Sequence, residues 1–212
     1  MNYPYTNYPD VQNASLPHMA YSTIKKIAIF ASGNGSNFEA LAHACYTGDI
    51  DANVVALVCD NPDAYVIQRA KKYPHVDVIV IDPKEYKTKA AYEEAIVNRL
   101  RIHQISLICL AGYMRICGPV LLNYYGGRIV NIHPSLLPAF KGAHAIRDAF
   151  KYGVKVYGVT IHYVDETLDG GRIIAQTPVV YEGNDMDQLE EMIHRAEHNL
   201  YIQTVIKLLN HY

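Results

Sequence analysis

The stretch Lys25–Gly48, KKIAIFASGNGSNFEALAHACYTG, decides the fold. Ile27 to Ala31 are continuously apolar, as a strand buried on both faces must be. The run stops at S-G-N-G-S-N, Ser32 to Asn37. Beyond it Phe38, Leu41, Ala42 and Cys45 fall at i, i+3, i+4 and i+7, one face of a helix that Gly48 is placed to end. The two glycines of the turn permit positive φ and close backbone approach, so amides of the loop and the helix N-terminus can point at an anion. A dinucleotide fingerprint would need a third glycine where Phe38 stands, and no G-x-x-x-x-G-K-[ST] run occurs. A single phosphomonoester fits this cradle best. A glycine turn without a ligand is the competing reading.

Outward from this unit the pattern repeats. Asn53 to Cys59, Val76 to Ile81, Ile105 to Ala111 and Arg128 to Ile132 are further near-continuous apolar runs. Helical periodicity lies between them near Ala64 to Tyr73 and Thr88 to Ile102. Strand and helix in alternation predict an α/β protein: a doubly wound, mostly parallel central sheet with helices on both faces, Rossmann-like, and a ligand site at the carboxyl ends of its strands. Lys155 to Val164 and Ile173 to Tyr181 read as two more strands joined through D-E-T-L-D-G-G. A long helix follows from about Asp185 to Asn210, with Asp185 and Gln188 as its capping pair. Residues 1–24, rich in Tyr, Asn and Pro, read as a flexible tail, leaving 25–212 as one catalytic domain.

Composition excludes several classes. The 212 residues are 50% hydrophobic and 19% charged, enough for a sizeable core without disulfides or metal. With 19 Lys plus Arg against 21 Asp plus Glu, no basic patch for nucleic acid is expected. No apolar run approaches the ~20 residues that span a bilayer, so the expectation is a cytoplasmic protein with small-molecule partners. Cys45, Cys59, Cys109 and Cys117 lie in or beside apolar runs and form no C-x-x-C pair; reduced core thiols and no metal are expected.

Two other segments carry polar groups at strand ends. In R-I-V-N-I-H-P-S-L-L-P, Arg128 to Pro138, Asn131 and His133 project from one face of a strand that Pro134 ends. Buried on an apolar strand, they must enter a hydrogen-bond network or face a ligand. In L-D-G-G, Leu168 to Gly171, the diglycine suggests a turn approaching something closely, with Asp169 at its shoulder. Alone, an Asp before Gly-Gly reads as a turn residue; combined with His133, the competing reading is a carboxylate that orients and charges an imidazole. Asp60, at the end of the second strand, is a candidate for a ribose hydroxyl.

These motifs together resemble the phosphoribosylglycinamide formyltransferase family. The resemblance rests on S-G-N-G-S-N, on A-G-Y-M-R-I at Ala111 to Ile116, on N-I-H-P-S-L-L-P at Asn131 to Pro138 and on H-Y-V-D-E-T-L-D-G-G at His162 to Gly171, in that order. It extends from about Ile27 to the final helix. The resemblance implies formyl transfer from 10-formyltetrahydrofolate, a co-substrate, to the amine of 5-phosphoribosylglycinamide in purine (IMP) biosynthesis. It implies Asn131, His133 and Asp169 as catalytic residues, with Ser135 beside them. Gly35, Ser36 and Asn37 would hold the phosphate and His194 and Glu197 the rest of the ribonucleotide. Lys89, Met114, Arg115, Ile116, Cys117, Asn131 and Asp165 would bind folate, Lys89 standing where the family often has Arg. The chain would be a monomer or homodimer. Arg172, Lys141, Cys117 and Ile202 depart from residues common in the family, and none of them is a reacting group.

Three other readings make different demands. Formyltetrahydrofolate hydrolase has a similar Asn, His and Asp site but normally adds an N-terminal regulatory domain. Methionyl-tRNA formyltransferase needs a basic extension for tRNA. A non-catalytic nucleotide-binding module would use the glycine loop and Asp60 while giving Asn131, His133 and Asp169 no shared task.

Overall fold

The computed structural model describes residues 24–210, so the expected tail lies outside the described residues except for Ile24. Five strands run parallel: β1 (Lys25–Ala31), β2 (Ala52–Cys59), β3 (Asp77–Val80), β4 (Leu107–Leu110) and β5 (Ile129–His133). Two antiparallel strands, β6 (Val156–Tyr163) and β7 (Ile173–Val180), extend the sheet beyond β5. The order is β3-β2-β1-β4-β5-β6-β7. The chain therefore winds outward from β1 in one direction through β2 and β3, then returns to β1's other edge with β4. A crevice opens outside the carboxyl ends of β1 and β4, where the winding reverses.

Six helices among the described residues cover the sheet: α1 (Ser36–Thr47), α2 (Val66–Ala70), α3 (Lys89–Leu100), α4 (Pro119–Tyr125), α5 (Ala145–Tyr152) and α6 (Met186–Leu209). The alternation along β1 shows why both faces must be covered. Ile27, Ile29 and Ala31 pack with α1, α5 and α6, while Ala28 and Phe30 pack with α3 and α4. Burying one such aliphatic or aromatic side chain contributes about 1.5–3 kcal/mol. The strands and four of the helices match the sequence expectation within a few residues. Helices α4 and α5 were assigned to nothing from sequence.

Caps set the helix ends. Gly48, at φ 85°, closes α1 by donating its N–H to Cys45 O, as its position predicts. Thr88 accepts from Ala91 N at the start of α3. At α6, Asp185 accepts from the amides of Asp187 and Gln188. The return bond expected from Gln188 is replaced: Asp185 N donates to the Tyr181 hydroxyl, which lies 3.1 Å from Gln188 Oε1. No described helix is long and apolar enough to cross a membrane.

Candidate active site

The carboxyl end of β1 delivers the glycine turn. Gly35, at φ 79°, starts α1, and no side chain caps that end, which leaves its first amides available to an anion. The turn lies against α2: a Cβ on Gly35 would stand 2.4 Å from Val66 Cγ2. Val66 N donates to Gly33 O at 3.0 Å. Asn37 is buried, and its Nδ2 donates to Glu197 Oε2 at 3.3 Å. Its Oδ1 is buried with no partner among the described residues.

Glu197 is assigned to the ribonucleotide by the resemblance. It is buried on α6 and also accepts from His194 Nδ1 at 2.8 Å. That hydrogen bond raises the His194 pKa above its ordinary value.

The carboxyl end of β5 carries Asn131 and His133 on one face, as the two-residue spacing requires. His133 Nε2 donates to Phe140 O at 2.8 Å, leaving Nδ1 toward Asp169 Oδ2 at 3.6 Å. Asp169 Oδ2 in turn accepts from Gly142 N at 2.8 Å. Its backbone takes φ 45°, and the diglycine after it supplies the close approach: a Cβ on Gly171 would stand 1.9 Å from Tyr163 O. Only glycine lets the turn press onto β6 and swing the carboxylate over His133.

Sequence reasoning missed His162. It pairs with Asn131 across the antiparallel β5–β6 ladder. Its Nδ1–H donates to Tyr163 O at 2.8 Å, so its bare Nε2 accepts from Asn131 Nδ2 at 3.1 Å. Burial lowers the His162 pKa and keeps the ring neutral. Asp169 Oδ1 lies 3.9 Å from that same Nε2. The signal was present in the quoted H-Y-V-D-E-T-L-D-G-G, but only strand pairing reveals that His162 orients Asn131.

A cleft of about 400 Å³ joins these pieces. Gly35, Ser36, Asn37, His194 and Glu197 line one part of it, and Asn131, His133 and Asp169 another. Met114, Arg115, Ile116, Cys117 and Asp165 complete the wall. The loop after β4 is tied to the loop after β1, because Ser32 N donates to Gly112 O at 3.1 Å and Met114 N to Ser32 Oγ at 2.8 Å. Its far end is held by Glu93, another residue the sequence did not single out. The Glu93 carboxylate, nearly fully buried, accepts from Gly118 N at 2.5 Å and Leu121 N at 3.3 Å. Cys117 is buried, and burial pushes its thiol up to about 12. Hydrogen bonds from Thr167 hold the Asp165 carboxyl below its ordinary range.

Three of the expected residues lie outside the lining of this cleft. Lys89 does not line this cleft but an adjoining cavity of about 460 Å³, shared with Met114, Arg115 and Ile116. Asp60 is buried beside the cleft, its Oδ2 accepting from Arg115 Nε at 2.8 Å. Ser135 bonds to Ala139 O at 2.6 Å and shapes the turn after β5 rather than the cleft wall. The four cysteines are free, and among the described residues no group of His, Cys, Asp or Glu is arranged to hold a metal ion.

An imidazole, a carboxamide and a carboxylate thus meet beyond the carboxyl end of β5, in the cleft that also exposes the glycine turn. The family described as Formyl transferase matches residues 25–205, and the chain belongs to it. The phosphoribosylglycinamide formyltransferase of Bacillus subtilis is 50% identical over 187 residues, covering 88% of this chain and 95% of the relative. That of Escherichia coli is 34% identical, covering 82% of each. The crystal structure of phosphoribosylglycinamide formyltransferase from Bacillus halodurans superposes with a TM-score of 0.84 at 50% identity, over 87% of this chain and 95% of that one. The resemblance seen in the four motifs is borne out.

Proposed function

We propose that this protein transfers the formyl group of 10-formyltetrahydrofolate to the amine of 5-phosphoribosylglycinamide in purine biosynthesis. The observation that carries the reading is the 3.6 Å approach of Asp169 to His133 Nδ1 inside the cleft that also exposes the glycine turn. The acceptor's phosphate lies on the amides of Gly35, Ser36 and Asn37, with Glu197 and His194 on its sugar side. The folate lies along Met114 to Cys117 with Asp165 opposite, and its anionic tail continues toward Lys89 in the adjoining cavity. The acting unit begins near residue 25, and a cytoplasmic enzyme with small-molecule partners fits this chemistry.

The acceptor amine attacks the formyl carbon, and the tetrahedral intermediate carries an oxyanion that needs donors. Because Nε2 of His133 is committed to Phe140 O, a protonated His133 offers the oxyanion its Nδ1–H. Asn131 supplies the second donor through its Nδ2, oriented by neutral His162. Asp169 stabilises the imidazolium and receives the amine proton through water. As the carbon to N10 bond breaks, that proton passes to N10, so the acceptor amine loses one hydrogen and tetrahydrofolate gains it.

The test is acceptor dependence. Purified protein should consume 10-formyltetrahydrofolate only when phosphoribosylglycinamide is present. Release of formate without the acceptor would replace this reading with a hydrolase.

A further inference from the structure

Arg69, on α2, takes no part in the chemistry above and does not line the cleft. Its guanidinium nevertheless grips the glycine turn from behind. Nε donates to Asn34 O at 2.8 Å and Nη2 to Asn34 Oδ1 at 2.8 Å, two prongs on one residue of the loop. The third side of the guanidinium pairs with Glu39, and its face lies 5.1 Å from the centre of the Tyr65 ring. Arg69 is thus held by Glu39 and Tyr65 as well as by Asn34.

Glu39 sits in the first turn of α1, where the helix dipole welcomes a carboxylate. An anionic substrate held on the same amides would be repelled by it. Arg69 and Lys72 both pair with Glu39 and neutralise that charge.

We infer that Arg69 is a positioning residue for the acceptor's phosphate: it sets the Asn34 and Gly35 backbone in its anion-binding shape and cancels the Glu39 charge beside it. The inference rests on the function proposed above for the choice of acceptor, but the loop's affinity for phosphate tests it separately. Losing two charge-assisted hydrogen bonds to one loop residue is expected to raise KM for phosphoribosylglycinamide about tenfold in Arg69→Gln. The same variant should keep kcat within about twofold and KM for the folate unchanged, since neither reacting group moves. Arg69→Lys restores charge without the two-pronged grip and should fall between. Adding Glu39→Gln to Arg69→Gln should recover part of the loss, because the unneutralised carboxylate is gone.

Inorganic phosphate, titrated as a competitive inhibitor and by calorimetry, should weaken in parallel with the acceptor. An Arg69→Gln enzyme with unchanged acceptor KM and phosphate affinity would overturn the inference. So would equal losses for acceptor and folate, which mark general destabilisation. If the native protein shows no acceptor-dependent turnover, the proposed function falls, while phosphate calorimetry on native and Arg69→Gln protein still decides the role of Arg69.

Discussion

At Asp169 the backbone is held at φ 45° by a turn that tolerates no Cβ two residues later, and the carboxylate is fixed by Gly142 N. An Asp169→Asn variant keeps the size and an oxygen for Gly142 while removing the charge beside His133. Turnover should fall about 100-fold or more with little change in melting temperature, and steady-state kinetics with a thermal melt will separate the two. Full turnover in that variant would remove Asp169 from the mechanism. His194 gives a prediction of opposite character. Its pKa is raised by Glu197, so the pair contributes stability fully present below the ordinary histidine pKa and lost as pH rises through the raised value. His194→Gln should flatten that part of the melting-temperature profile against pH, most visibly just above the ordinary histidine range. Asn131 and His133 were legible because period-two geometry puts them on one face. His162 was not, because its task depends on a partner 31 residues away that only β5–β6 pairing supplies.

The segment from Met114 to Gly118 has little secondary structure and is positioned by its two ends. Met114 N is tied to Ser32 Oγ, and Gly118 N to a Glu93 carboxylate that also receives Leu121 N at the start of α4. A buried carboxylate on helix-start amides is satisfied both by hydrogen bonds and by the dipole. Glu93→Gln keeps the shape but turns a donor toward those amides. It should cost about 1–3 kcal/mol in urea unfolding and raise KM for the folate several-fold, with acceptor KM unchanged. Equal effects on both substrates would show that Glu93 serves only the fold. Strands β1, β2 and β4 were readable because they are near-continuous apolar runs, and α6 because it is long and opens on the Asp185 cap. Helix α4 was not, being seven residues long with Pro119 at its start and a cap contributed by another helix. Helix α5 lacks a side-chain cap at His144 and was missed for that reason.

Across the molecule the cleft depends on α6 reaching back over the point where the winding reverses. The sequence told that a parallel α/β sheet existed, but strand order is set by pairings between residues far apart in the chain, which periodicity does not encode. Tyr201 shows how the closure is made. Fully buried on α6, its hydroxyl donates to Leu110 O at 2.9 Å and lies 3.3 Å from Val130 O, so one side chain joins α6 to the last residue of β4 and to β5. One turn earlier on the same helix Glu197 accepts from Asn37, and His194, two turns earlier, bonds to Glu197. Tyr201→Phe preserves the packed ring and removes only the hydroxyl. Its expected cost is about 1 kcal/mol, with the urea midpoint lowered and the slope of the transition unchanged, because no extra surface is exposed. With α6 less firmly seated, KM for the acceptor should rise before KM for the folate does, since α6 contributes Glu197 and His194 but nothing to the Met114–Cys117 wall. A variant in which the folate KM rises alone would mean that α6 and the acceptor side of the cleft are not mechanically joined through Tyr201.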